Sequence, residues 1–410
     1  MATQLRVCLE TYGCSLNVAD GEQLASHIPE EMLVDNPEEA DLIIINSCGV
    51  KDPTEIKICR RTKKLLDMGK KVVVTGCLPR INTSNLDRRA IIKYDPRDVL
   101  ALLGVDGSCY QGRRFRGGRS YATIALGHGC LGSCTFCAVR IARGKLRSRP
   151  KQEIVNEVRQ AVSQGFKEIR LTAQDTGAYG KDISTTLPEL LEEILVSVPG
   201  DYLIRLGMTN PNHVQNILDE LIQIYKDPRL YKFLHIPVQS GSNKILRRMG
   251  RKYTVEEYRE IVEEFLGKIP ELQVVTDIIV GFPFETEEDY QLSLELIKET
   301  KPHKVNIARF SKRPGTLSEW MPQIPGRIAK ERSRKLQKLV HRISEDINKG
   351  FVGKQMDVLV VERGKKGGTM LGRNMSYKPV VLPSCKLGQR LGVRITGSTP
   401  TYLIGEPAAT

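Results

Sequence analysis

The chain has 410 residues, 40% of them hydrophobic, with 35 Gly and 21 Pro; that is too long for one small core and too apolar for disorder, and it predicts two or three loop-rich globular domains. No apolar run approaches the ~18 residues of a membrane span, and Met1 to Arg6 lead into a strand-like segment without an apolar signal core, so the expected location is cytoplasmic with no membrane partner. Of the net charge of +14, residues 107–152 carry +10 (ten Lys or Arg, no acid) and residues 330–410 another +10 (sixteen against six), while everything else sums to −6; two localised basic regions read as a polyanion footprint rather than a general solubility device.

In chain order, residues 1 to about 105 alternate strand and helix. Short apolar runs at LRVCLE (5–10), DLIIIN (41–46) and KVVVTG (71–76) are each followed by polar, helix-permissive sequence, which predicts an α/β domain with a Rossmann-like parallel sheet over residues 1–110. GVDGSCYQGRRFRGG (104–118) reads as a linker. Six further strand candidates follow: YATIALG (121–127), KEIRLTA, DYLIRLG, YKFLHIP, LQVVTDIIVGFP and KVNIARF, separated by helical stretches such as QEIVNEVRQAVSQG. Six βα units are too few for a complete eight-fold barrel, so residues 119–328 predict a partial one. After a basic helix-prone stretch (329–353), short β-type runs between Gly and Lys clusters predict a small antiparallel barrel of the oligonucleotide-binding kind over 346–407. No solenoid-type repeat is apparent.

Ten cysteines in a chain without a secretory signal point to metal binding, catalysis or plain burial rather than disulfides. Cys130, Cys134 and Cys137 form CxxxCxxC in GHGCLGSCTFC, directly after the first barrel strand, where active-site groups of such barrels lie. A zinc site needs four ligands, and His128 is the local candidate for the fourth; a [4Fe–4S] cluster also takes four, and three thiolates leave one iron open. Cys14, Cys48 and Cys77 each follow one of the first three strands. In a parallel sheet these ends converge, so the trio either holds a second cluster or consists of small buried apolar residues. Cys8 and Cys59 read as plain core or helix residues, and Cys109 and Cys385 carry no assignment.

CxxxCxxC after a first barrel strand resembles the radical S-adenosylmethionine enzymes. The whole order of three N-terminal Cys, CxxxCxxC, six-unit barrel and small β-domain is similar to the methylthiotransferases, whose C-terminal RNA-binding domain is called TRAM. Within them, YGCSLNVADGE (12–22), NSCGVKDPTE (46–55), LTAQDTGAYGKDI (171–183), RLGMTNPNH (205–213) and HIPVQSGSNKILRRM (235–249) resemble the archaeal and eukaryotic branch acting on threonylcarbamoyladenosine in tRNA. One departure is GFPFET (281–286), where that family usually has Gly in place of Phe284.

The resemblance implies two [4Fe–4S] clusters, one on Cys130, Cys134 and Cys137 and one on Cys14, Cys48 and Cys77. It also implies S-adenosyl-L-methionine as cofactor and as methyl source, and methylthiolation at C2 of the adenosine at position 37, beside the anticodon. C2 carries a non-acidic C–H bond, which calls for cofactor-borne radical chemistry. Phe136, Gln174, Asp175, Arg205 and Gln239 are the expected cofactor contacts, each with a packing, capping or structural reading beside it; His235 reads as a satisfied core histidine. Arg113, Arg114, Arg116, Arg119, Arg143, Lys145, Arg147 and Arg149 are the expected phosphate contacts, with counterion-release salt dependence. The implied partners are tRNA and an unidentified electron donor; the oligomeric state is not legible. Rival readings are a ribosomal-protein methylthiotransferase, disfavoured by the basic C-terminal domain, and a zinc-stabilised RNA-binding protein without activity.

Overall fold

The computed structural model describes residues 5–50, 52–105 and 118–408, and the chain divides into two compact units. The first joins the N-terminal segment up to residue 116 to residues 128–147 and 311–320. Its sheet is β1 (Val7–Thr11), β2 (Leu42–Ser47), β3 (Lys71–Gly76) and the short β4 (Ile91–Ile92), in that order and all parallel. Every residue of β2 is buried, because its alternate side chains enter two different cores. Ile44 packs with Leu24 of α1 (Ser15–Ala25), while Ile43 and Ile45 pack with Ile58 and Leu65 of α2 (Asp52–Asp67). A continuous Val/Ile run is what a strand covered on both faces requires.

The second unit holds the six barrel strands: β5 (Tyr121–Ala125), β6 (Glu168–Thr172), β7 (Leu203–Leu206), β8 (Phe233–His235), β9 (Gln273–Val280) and β10 (Lys304–Arg309). They hydrogen-bond as two parallel three-stranded sheets, β5-β6-β7 and β8-β9-β10, spliced by Tyr231 N–H donating to Ile204 O at 3.0 Å. Crossover helices α3 (Lys151–Ser163), α4 (Leu187–Ser197), α5 (Leu218–Tyr225), α6 (Val255–Lys268) and α7 (Glu287–Thr300) cover the outside, and α8 (Gly326–Lys349) follows. The six units are those read from the sequence.

Strands β11 (Gln355–Arg363), β12 (Met370–Asn374), β13 (Pro379–Leu382), β14 (Arg390–Ser398) and β15 (Leu403–Pro407) close into a barrel in the order β11-β12-β13-β15-β14. The expected barrel was antiparallel throughout; here β13 and β15 pair in parallel through Val380 and Leu403. The reason is parity. Strict up-and-down alternation cannot close a ring of five strands, so one neighbouring pair must run the same way.

This small barrel is seated on the partial one. Ser120 N–H donates to Val361 O and Lys232 N–H to Met375 O, at 2.9 and 2.8 Å. Leu359, Val361 and Tyr377 share a core with Leu203, Tyr231 and Phe233. Beneath them Glu168, 0% exposed, accepts from Tyr231 Oη at 3.0 Å and Tyr377 Oη at 3.1 Å and pairs with Arg170.

Candidate active site

The parallel register places Thr11, Asn46 and Thr75 side by side, and Cys14, Cys48 and Cys77 follow two or three residues later at the same sheet edge. The fold therefore gathers thiols that are far apart in sequence. Gly13 lies so close to Cys48 that a side chain at position 13 would put its Cβ 2.6 Å from the Cys48 Cβ. Asn17, on the first turn of α1, is fully buried and organises the trio. Its Nδ2 donates to Tyr12 O (2.8 Å) and Ser47 O (2.9 Å), and its Oδ1 faces Cys77 Sγ at 3.6 Å and Cys14 Sγ at 3.9 Å.

The second cysteine set belongs to the same unit. Gly129 holds φ +76° in van der Waals conflict with any Cβ, which would lie 1.9 Å from Lys145 O, so the 128–147 segment folds tightly back on itself. Cys130 N–H donates to Gly144 O, and Gly132 N–H reaches Cys130 Sγ at 3.2 Å. Cys130 Sγ and Cys134 Sγ lie 3.3 and 3.6 Å from where a Gly132 Cβ would sit, so both sulfurs crowd one bare stretch of backbone.

Arg143 joins the two sets. Its guanidinium donates to Cys77 Sγ (3.3 Å), Asn17 Oδ1 (2.5 Å) and Asp20 Oδ2 (2.6 Å), and lies 3.3 Å from His128 Nδ1. Burial works against this charge, but Asp20 holds the guanidinium protonated well above its ordinary range. Burial also pushes the Cys77 thiol up to about 11, with Arg143 pulling the other way. A bare Cys77 is therefore a neutral thiol, and a metal-bound thiolate there has a cation already beside it, the compensation a buried anion needs.

Among the described residues no group of three or more His, Cys, Asp or Glu is set to hold a metal ion. A four-iron cluster takes one thiolate at each corner and spreads its ligands more widely than a single ion does. Thiols dominate the donors gathered at the strand ends and in the 128–147 loop, and soft thiolates are what a cluster takes.

Several expected contacts sit otherwise than the sequence suggested. Asp175 is buried, and its carboxylate accepts from Asn210 N–H (3.1 Å), Asn210 Nδ2 (2.6 Å) and His213 Nδ1 (2.6 Å). Burial would raise its pKa, but His213 and Asn210 hold it below the carboxylate range; its work is to fix the 209–213 loop. Arg205 stacks on Phe233 and Tyr377, with centroids 4.9 and 5.7 Å away, towards the small barrel. Gln239 is nearly buried, with φ +71° and its backbone tied to Asp277 O and Ile279 N. Gln174 keeps a buried Oε1 without a hydrogen-bond partner among the described residues. Phe136 is half-buried in the cysteine loop. His235 is satisfied as expected, by Asp277 Oδ1 at 3.0 Å.

The basic run is also corrected. Arg143 is consumed by the cysteine site, and Arg149 pairs with Glu157 at 2.6 Å and donates to Ala125 O; Lys145 and Arg147 remain exposed. Arg119 is part-buried against Tyr121. Arg113, Arg114, Arg116 and Cys109 lie outside the described residues. Asn17, Asp20 and the anchoring role of Arg143 escaped the sequence reading, although Asn17 stands one helical turn from Cys14, the spacing that puts two side chains on one face.

The Radical SAM superfamily matches residues 124–297, the uncharacterized protein family UPF0004 residues 6–94 and the TRAM domain residues 349–408. TsrM from Kitasatospora setae, a radical S-adenosylmethionine methyltransferase, shares the fold with a TM-score of 0.57 at 13% identity, over 77% of this chain and 75% of its own. The class is thus a radical S-adenosylmethionine enzyme carrying a TRAM domain, which implies S-adenosylmethionine and one [4Fe–4S] cluster. A Pyrococcus horikoshii protein named "Probable threonylcarbamoyladenosine tRNA methylthiotransferase" is 45% identical over 98% of this chain and 99% of its own. The human threonylcarbamoyladenosine tRNA methylthiotransferase is 34% identical over 98% of this chain and 74% of its own. The chain belongs to the threonylcarbamoyladenosine tRNA methylthiotransferase family. No described helix is long and apolar enough to cross a membrane.

Proposed function

We propose that the protein places a methylthio group on C2 of the N6-threonylcarbamoyl-modified adenosine at position 37 of tRNA. In this reading Cys130, Cys134 and Cys137 hold the cluster that binds S-adenosylmethionine, and Cys14, Cys48 and Cys77 hold a second. When bound, the clusters and S-adenosylmethionine supply the one-electron and sulfur-transfer chemistry that an inert C–H bond demands. The observation that carries the reading is Arg143, which ties Cys77 and Asn17 to the segment bearing Cys130 through one part-buried cation.

The side chains then have distinct tasks. Asn17 and Arg143 orient the strand-end thiols and balance their negative charge when ligated. Gly129 and Gly132 keep the loop backbone close to its sulfurs. Gln174, whose buried Oε1 has no hydrogen-bond partner among the described residues, and, separately, Phe136 of the cysteine loop are candidate cofactor contacts. Asp175 orders the 209–213 loop from behind. An electron donor is required by the chemistry and is unassigned.

The test is mass spectrometry of nucleosides from tRNA incubated with the reduced, cluster-loaded protein. The expected product is the threonylcarbamoyladenosine nucleoside with a methylthio group in place of hydrogen; its appearance on a protein acceptor alone would overturn the reading. Metal analysis should give about eight iron per chain for two four-iron clusters. Cys134→Ala should abolish 5′-deoxyadenosine formation, and retained cleavage of S-adenosylmethionine would remove Cys134 as a ligand.

A further inference from the structure

The chain has one tryptophan, and the fold leaves it almost bare. Trp320 is 85% exposed and Leu317 69% exposed, on a single turn (Leu317–Trp320) of the first unit. Scattered exposed apolar residues are ordinary, so exposure alone decides nothing. What distinguishes this pair is how firmly the turn beneath it is held.

Arg313 anchors the segment from below. It is 4% exposed, donates to Val50 O at 3.1 Å, and pairs with Glu55 at 2.6 Å and Asp52 at 2.8 Å. Thr316 Oγ1 donates to Arg313 O, and Glu319 accepts from Gly315 N–H, both at 2.8 Å. Ser318, fully buried, donates its N–H to Thr135 O at 2.9 Å. Thr135 stands between Cys134 and Cys137. The turn is thus bonded to the cysteine loop itself: Thr316 and Ser318 are buried and bonded, while Leu317 and Trp320 are exposed, with no described residue covering them.

The segment to which the turn is bonded is basic: residues 128–147 carry Arg140, Arg143, Lys145 and Arg147 and no acid. Arg140, Lys145 and Arg147 are exposed, as is Lys312 of the turn's own segment, where Glu319 is the one carboxylate. A protein-docking patch is usually depleted of charge at its centre. A firmly held, exposed aromatic bonded to a basic segment is instead the arrangement that binds unpaired bases, by stacking on the ring and by attraction of the phosphates.

We propose that Trp320, with Leu317 beside it, is a stacking platform for an unpaired base of the tRNA loop that carries the target adenosine. The inference rests on tRNA being the substrate. Holding the platform on the backbone of Thr135 fixes a loop base relative to the cysteine loop, so that binding the neighbour positions the base to be modified.

The single tryptophan makes the test direct. The cluster-loaded protein is titrated with an anticodon stem-loop bearing threonylcarbamoyladenosine, following tryptophan fluorescence and, separately, filter binding. Quenching or a spectral shift that saturates together with binding is expected. Trp320→Ala should weaken binding roughly five-fold to a hundred-fold, Trp320→Phe should recover most of it, and iron content and thermal midpoint should confirm that both variants fold and load. Fluorescence unmoved at saturating stem-loop, or wild-type affinity in Trp320→Ala, would overturn the platform while leaving methylthiolation intact. If the fluorescence responds but no methylthio product forms, the platform stands and the reaction assignment fails.

Discussion

Arg143 is one part-buried cation with three protein acceptors, and it shows what a single side chain contributes here. Removing a partner from a buried ion pair typically costs about 3–5 kcal/mol because the other charge is stranded. Arg143→Ala should therefore lower the denaturation midpoint of the protein sharply by stranding Asp20, and Arg143→Ala combined with Asp20→Ala should lower it less than the two separate losses added together. Thermal or urea denaturation of the three variants checks this. His303 makes the opposite case, a group held neutral. It accepts from Val274 N–H at 3.2 Å, and burial, helped by Lys378, pushes its pKa down to about 4. The unfolded imidazole takes its proton near 6.5, so the unfolded state binds more protons between these values. Stability from this group is complete above about pH 6.5 and is lost as pH falls towards 4, on the order of 3 kcal/mol in all. Urea midpoints measured across that range should fall for the wild type and fall less for His303→Gln.

At the scale of an element, the turn from β9 into α7 explains the one departure seen in sequence. Phe284 holds φ +66°, the left-handed region where glycine is at ease. The backbone thus keeps the conformation a glycine would allow, and the half-exposed ring is covered by Arg248, 4.0 Å from its centroid. Directly after it, Thr286 and Asp289 form a capping box, and Asp289 also accepts from Ser242 and Lys244. The cap holds the start of α7 wherever the turn points. Phe284→Gly should be more stable than Phe284→Ala by about 1 kcal/mol, since both lose the ring and only alanine keeps the left-handed strain; chemical denaturation of the pair decides it. This shape was not legible from GFPFET, because φ depends on what packs around the residue as well as on its type.

For the whole molecule, the seat of the small barrel on the partial one matters most. Glu168, Tyr231, Tyr377 and Arg170 form a closed polar knot surrounded by shared apolar core, so the two barrels should unfold together. Tyr377→Ala removes a ring from that core and one donor from a buried carboxylate, and calorimetry should then resolve two transitions where the wild type shows one for this unit. A single unchanged transition would mean that the barrels are not coupled through the knot.

The sequence by itself determined the periodic and the contiguous features. The runs of Val and Ile, the helical spacing between them and the Gly-rich CxxxCxxC loop specify elements locally, so six barrel units, a parallel N-terminal sheet and a C-terminal β-barrel were all readable. Even the convergence of Cys14, Cys48 and Cys77 followed from strand ends, since a parallel sheet leaves its carboxyl ends on one edge. Only the tertiary structure decided which charged residues were free. Arg143 and Lys145 look alike in a basic run, yet one is bonded to Cys77 and Asp20 and the other is exposed; Asp175 looks like a ligand and is bonded by Asn210 and His213. Such assignments depend on partners tens to hundreds of residues away, and no local pattern encodes them. The exposure of Trp320 is of the same kind, because burial belongs to the packed chain and not to the residue.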